Sequence, residues 1–204
     1  MTAPLGVILA GGRATRMGGG DKGRLTLGDK SLLDLVIDRL SPQVAGIALN
    51  ANGDAARFAD LELPILPDSL PDHPGPLAGV LAGLDWAAEQ GAETIVTVAA
   101  DTPFFPETLV ASLSAAAGSP PLALAACRDE NDKLWRQPTF GLWPVSLRDD
   151  LRAALKDGLR KVVLWTDQHN AGTAEFDSKR FDPFFNVNTP GDLATAREIY
   201  EAAQ

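Results

Sequence analysis

"LGVILAGGRATRMGGGDKGR", Leu5 to Arg24, decides how the rest of the chain is read. Leu5 to Ala10 form a continuous apolar run with β-branched Val7 and Ile8, which predicts a buried strand. Glycine and positive charge follow at once. Arg13, Arg16, Lys22 and Arg24 stand against a single Asp21, a local charge of +3. The whole chain carries −9, which leaves −12 for the remainder. Cations interleaved with glycines, whose backbone N–H groups lie open, suit a phosphate site; a solvated basic patch is the competing reading. One confined basic segment in an acidic chain argues against general nucleic-acid binding, which uses a basic face.

Outward from this stretch, apolar runs alternate with amphipathic ones. Ser31 and Asp34 form a capping-box pattern before "LLDLVIDRL", where Leu32, Leu33, Val36, Ile37 and Leu40 share one helical face. "VAGIALN" reads as a strand, "ANGDAARFAD" as a turn and short helix, and "LPIL" as a third strand. Four prolines stiffen "PDSLPDHPGP", Pro67 to Pro76. "LAGVLAGLDWAAEQG" is then a helix stopped by Gly91, with Gly79 and Gly83 on one face for close packing. "TIVTVAA", "PLALAAC" and "QPTFGLWP" read as strands, with the helices "PETLVASLSAAAG" and "SLRDDLRAALKDG" between and after them. "KVVLW" is expected as one more short strand. Thr189 caps a final helix, with Pro190 at its first position and Asp192 completing the cap. The alternation predicts an α/β fold: three layers, α/β/α, around a mostly parallel, Rossmann-like sheet, with residues 1–204 as one domain. Ligands of such sheets bind beyond the carboxyl ends of the strands, where the opening loop, "LNANG", "PDSLPDHPGP" and "AADTPF" should gather.

One cysteine, Cys127, excludes an internal disulfide and suits a reduced compartment. Two histidines beside it are too few for a structural zinc site. The N-terminus lacks a signal-peptide pattern, and no run approaches the ~18 apolar residues of a membrane helix. The expectation is a cytoplasmic protein with no membrane partner.

Two familiar phosphate loops fail. A Walker A loop needs Gly-Lys-Ser/Thr, but Lys22 stands between Asp21 and Gly23. Gly18, Gly20 and Gly23 match the letters of a dinucleotide fingerprint. They lie too far past Ala10, and the helix begins only near Ser31. What remains is a strand, a long glycine loop and spaced cations. Gly11 and Gly12 let backbone approach a base or ribose, Arg16 forks onto phosphate oxygens, and Lys22 adds a compact charge. A triphosphate also calls for magnesium on one or two carboxylates, and Asp101, at the end of "TIVTVAA", is the candidate ligand.

The opening "LAGGRATRMGGGDKGRLTLGDKSLLDLVIDRL" resembles the molybdenum cofactor guanylyltransferases, within the nucleotide-diphospho-sugar transferase type of nucleotidyltransferases. "LNANG", "PDSLPDHPGPLAG", "ADTPFFP", "QPTFGLW", "GLRKV" and "FFNVNTPGDL" match in the same order and cover nearly the whole chain. The resemblance implies magnesium-assisted transfer of GMP from GTP to molybdopterin or its molybdenum form, with release of pyrophosphate. It implies that Leu9, Ala10, Gly11 and Gly12 hold guanosine. Arg16 and Lys22 would bind phosphates, Asn50 and Asp68 would complete the nucleotide site, and Gly75 would lie near the base. Asp101 would bind Mg2+, and Asn186 and Asn188 would lie on the pterin side. Arg160 and Lys161 are secondary candidates for the second substrate's phosphate. GTP and molybdopterin are the implied partners, with cofactor-delivery or molybdoenzyme-maturation proteins beyond them. Gly11 stands where related cytidylyltransferases carry alanine, which suits a purine. Ala100 stands where the family often has cysteine. A cytidylyl- or sugar-phosphate nucleotidyltransferase, or a non-catalytic GTP-binding carrier of the cofactor, are the alternatives. Asn50 and Asn52 would otherwise only shape a turn before Gly53.

Overall fold

The computed structural model describes residues 3–10, 22–70 and 75–202. Seven strands form the central sheet: β1 (Leu5–Leu9), β4 (Ile47–Asn50), β5 (Ile65–Leu66), β6 (Thr94–Ala99), β7 (Ala123–Arg128), β8 (Leu134–Pro144) and β9 (Gly172–Phe176). Their order is β5-β4-β1-β6-β8-β7-β9. β1 runs parallel to β4 and β6, β4 to β5, and β7 to β9; only β8 is reversed, against both β6 and β7. The expected mostly parallel sheet is therefore present. A two-stranded hairpin, β2 (Thr26–Leu27) with β3 (Lys30–Ser31), stands apart from it.

Helices cover both faces. α1 (Leu32–Leu40) and α3 (Leu109–Ala116) share one apolar cluster with Ile8, Leu49, Val96 and Val98. α2 (Pro76–Glu89), α4 (Arg148–Lys156) and α5 (Val162–Gln168) share another with Val7, Ile95, Leu124 and Trp143. Alternate residues of β1 and β6 thus feed opposite faces, as a buried parallel strand requires. α6 (Pro190–Ala202) closes a third, smaller cluster with Leu27, Leu32, Phe104 and Val187.

Local chemistry explains the ends of these helices. Ser31 Oγ accepts from the Asp34 N–H at 3.1 Å, and the Asp34 carboxylate accepts from the Ser31 N–H at 3.0 Å, the expected capping box. Asp192 accepts from the Thr189 N–H at 2.9 Å and donates its own N–H to Thr189 Oγ1 at 3.2 Å, the expected start of α6. Gly79 and Gly83 are where α2 lies closest to the sheet. A Cβ on Gly83 would stand 2.8 Å from Val7 Cγ2, and one on Gly79 would meet Asn50 Oδ1.

Two elements differ from expectation. "KVVLW" is not a strand: Val162 to Gln168 form α5, and Val162, Trp165 and Thr166 are buried along one side. Trp165 packs 6.1 Å from the Trp143 ring and donates its indole N–H to Asp150 at 2.9 Å. Its β-branched residues suit a strand, but packing on the sheet face overrides that preference. β9 carries no strong apolar run and was not foreseen; it alternates as an edge strand beside β7. Cys127 is buried at the end of β7, where burial and then the Asp182 carboxylate push its thiol pKa up.

Candidate active site

The chain leaves β1 for β4 and β5 on one side, then crosses through α2 to β6 on the other. Such a reversal is where open α/β sheets form their ligand crevice, here beyond the carboxyl end of β1. The register there is level. Leu9 pairs with both Asn50 and Ala99, and Asn50 pairs with Leu66. One residue further the backbones still bond: the Ala10 N–H donates to Asn50 O at 2.8 Å, the Ala51 N–H to Leu66 O at 3.0 Å, and the Ala100 N–H to Leu9 O at 3.1 Å. Two positions past each strand end come Gly11, Asn52, Asp68 and Asp101. Parallel pairing thus brings residues far apart in sequence to a common edge.

Asn50 is 2% exposed, and its side-chain amide donates to Leu66 O at 3.0 Å and Asp68 Oδ1 at 2.9 Å. Asn52 takes the other carboxylate oxygen: its amide donates to Asp68 Oδ2 at 2.8 Å, and its Oδ1 accepts from the Asp68 N–H at 2.9 Å. The turn reading of Asn50 and Asn52 is therefore incomplete, because both grip Asp68. The next residue is held too, with Ser69 Oγ donating to Asp85 on α2 at 2.6 Å and Arg152 of α4 donating to the same carboxylate. Gly75, at φ +118°, precedes Pro76 and admits the chain into α2.

Asp101 is half-buried beyond β6. Its carbonyl accepts from the Val187 N–H at 2.9 Å, which draws the segment from Asn186 to Asn188 alongside it. Thr102, fully buried, donates from Oγ1 to Asn186 Oδ1 at 2.5 Å and stands 3.3 Å from Asp101 Oδ1. Asn186 is exposed; the Asn188 N–H donates to Asp192 at 2.9 Å. Asp101, Asn186 and Asn188 therefore share one corner, and Thr102 is the residue that sequence reasoning missed there. Its only sequence signal is a hydroxyl between Asp101 and Pro103. Magnesium prefers one or two carboxylates plus substrate oxygens to a cage of side chains. A single half-buried aspartate at a strand end fits that preference, and no cluster of three or more metal-ligating side chains occurs among the described residues.

Gly11, Gly12 and Arg16, with the side chain of Lys22, lie outside the described residues. The loop's exit is described. The Arg24 guanidinium forks onto Asp60, with both contacts at 2.6 Å, and donates to Arg57 O at 2.7 Å. The Arg24 hydrogen bond holds the Asp60 carboxyl below its ordinary range. Arg24 thus anchors the loop to the segment after β4. Arg160 Nη1 donates to the carbonyls of Leu155 and Leu159, closing the turn before α5, and the neighbouring Lys161 occupies the N-cap position of that helix without a side-chain capping bond. Trp86, Trp143 and Trp165 pack against the α2 face, as expected of most tryptophans, whereas Trp135 is half-exposed and bound to Asp129.

The reversal point of a mostly parallel sheet, with a clasped aspartate on one side and a strand-end aspartate on the other, is the place where α/β proteins bind nucleotides, and the known proteins that the chain resembles make the class a nucleotidyltransferase. The family model described as the MobA-like NTP transferase domain matches residues 6–171. The molybdenum cofactor guanylyltransferase of Bradyrhizobium sp. (strain ORS 278) is 48% identical over 203 residues, covering 97% of this chain and 93% of its own. That of Rhodopseudomonas palustris (strain HaA2) is 49% identical over 202 residues, with 97% and 92% covered. This chain belongs to the molybdenum cofactor guanylyltransferase family. Among solved structures, the molybdopterin-guanine dinucleotide biosynthesis protein A of Archaeoglobus fulgidus matches with a TM-score of 0.69 at 24% identity, over 97% of this chain and 99% of its own. A 4-diphosphocytidyl-2C-methyl-D-erythritol synthase of Anaerococcus prevotii matches with a TM-score of 0.70 at 13% identity, over 98% and 96%. The same fold therefore occurs in a protein named for a cytidylyl product, and the fold alone does not choose the base.

Proposed function

We propose that the protein transfers GMP from GTP to molybdopterin or its molybdenum form, releasing pyrophosphate. The observation that carries this reading is the level row of strand ends, which sets Asn52, Asp68 and Asp101 along one crevice in a chain nearly half identical to curated guanylyltransferases. Leu9, Ala10, Gly11 and Gly12 offer backbone to guanosine, and guanine's N1–H and N2 donors suit carbonyl acceptors. Asn50, Asp68 and Gly75 complete the nucleotide side. Arg16 and Lys22 neutralise the triphosphate, and such chemistry needs mainly positioning and charge neutralisation. Asp101 holds Mg2+, which supplies charge stabilisation at the phosphates when bound. Asn186 and Asn188, beside Asp101, face the pterin substrate, whose phosphate attacks the α-phosphate as pyrophosphate leaves. The reading needs residues from β1 to the start of α6, which suits one catalytic unit across 1–204. A cytoplasmic place fits the unpaired cysteine, and no helix among the described residues is long and apolar enough to cross a membrane.

The test is pyrophosphate release measured nucleotide by nucleotide with molybdopterin and Mg2+. Release from GTP with little from CTP is expected. Equal use of CTP removes the base assignment, and GTP binding without release favours a carrier.

A further inference from the structure

We propose that Asn52 is a positioning residue for the nucleotide, acting by orienting the carboxylate of Asp68. The inference rests on the reading of the crevice as a GTP site and goes beyond it, because Asn52 is otherwise a residue of a turn.

The geometry is a clasp with two jaws. Asn50 and Asn52 are two apart on an extended segment, so their side chains project the same way, while Ala51 between them is buried in the α1 face cluster. Each amide donates to a different oxygen of Asp68, Asn50 to Oδ1 at 2.9 Å and Asn52 to Oδ2 at 2.8 Å. Asn52 also accepts from the Asp68 N–H at 2.9 Å. It therefore holds that residue at backbone and side chain together, and rotation of the carboxylate would break one bond or the other. Asn52 is itself fixed: its carbonyl accepts from Arg57 Nη2 at 2.7 Å, and the Arg57 guanidinium lies 5.0 Å from the ring centre of buried Phe58.

A carboxylate has about four lone-pair sites, and the two amides use one on each oxygen. The others remain as acceptors for nucleoside hydroxyl or N–H donors. Acceptors fixed before binding spare the ligand the cost of ordering them. Beyond Asp68 the loop has a side-chain tether of its own, Ser69 Oγ to Asp85, which α4 flanks with Arg148 and Arg152. Loss of Asn52 should therefore free the carboxylate without releasing the loop.

The full-length protein should be compared as wild type, Asn52→Ala, Asn52→Asp and Asp68→Ala. Readouts are calorimetric GTP binding, initial rates of pyrophosphate release with molybdopterin, and thermal melts. Asn52→Ala should raise half-saturating GTP on the order of tenfold, the scale of one lost hydrogen bond to a charged group, with kcat within about threefold. Its melting temperature should stay near that of wild type. Asn52→Asp removes the amide donor and sets two carboxylates against each other. It should raise half-saturating GTP at least as far as Asn52→Ala does, again with kcat within about threefold, a split that a purely structural role would not produce. The proposal is overturned if both Asn52 variants stay within twofold of wild type for GTP, or if they lower kcat with GTP affinity unchanged. Should Asp68→Ala alone weaken GTP, the GTP site stands and the Asn52 role falls. A wild-type protein that neither binds nor turns over GTP overturns both.

Discussion

Asp101 takes its place from the strand before it. "TIVTVAA" supplies a buried strand through Ala99, one more backbone bond seats Ala100, and Asp101 follows, its carbonyl accepting from the Val187 N–H. Thr102 stands beside its carboxylate and is itself bonded to Asn186. Removal of its carboxylate should abolish turnover while the fold persists, because no buried apolar contact is lost. Asp101→Ala should therefore show no pyrophosphate release above background in Mg2+, with wild-type circular dichroism; near-normal activity would remove the metal role. Lys22→Ala should also lose much of the rate, since a bound phosphate would lack its charge partner. Unchanged kinetics there would mean that the loop acts through backbone alone.

At the scale of elements, α2 connects packing with function. Its small residues let it press against β1 and β4, and the same closeness places Gly79 against the Asn50 side chain that grips Asp68. Ala at either glycine should overpack the helix–sheet contact and cost about 1–3 kcal/mol in denaturant unfolding. Only Gly79→Ala should also raise half-saturating GTP, because only its Cβ meets Asn50; Gly83→Ala would meet Val7 and Ile95. Equal GTP affinity in the two variants would separate Asn50 from the nucleotide. The Arg24–Asp60 fork acts at the same scale, joining the exit of the glycine loop to the segment between β4 and β5.

For the whole molecule, the acidic surface has a stated pH consequence. Asp60 is held below its ordinary range by the Arg24 hydrogen bond, Asp129 by that from the Trp135 indole, and Asp167 by that from Arg136. A carboxylate with a lowered folded pKa contributes stability above its unfolded value and loses it as pH falls through the folded one. Urea midpoints should therefore hold between pH 7 and about 4 and decline below it. Replacing Arg24 and Arg136 with Gln should weaken that acid limb and leave a smaller effect at neutral pH in high salt, since exposed pairs are screened.

Much of this was legible in particular residues. Ser31 with Asp34, Thr189 with Asp192, and the paired glycines of α2 were read correctly, because caps and close packing depend on neighbours in sequence or on one helix face. "KVVLW" was misread because five apolar residues satisfy either period, and only the sheet face selects the helical one. Asn52 carries no sequence signal beyond that of a turn before Gly53, because its partner, Asp68, lies sixteen positions away. By itself, the sequence determined the alternation of strands and helices, the confined positive charge and the residue types for nucleotide chemistry, all consequences of local composition and period. Tertiary structure alone decided that Asn50, Asn52 and Asp68 form one clasp, that the Asp101 carbonyl meets Val187 and that Thr102 meets Asn186. Such meetings depend on strand order and register, which hydrogen bonds between distant segments set.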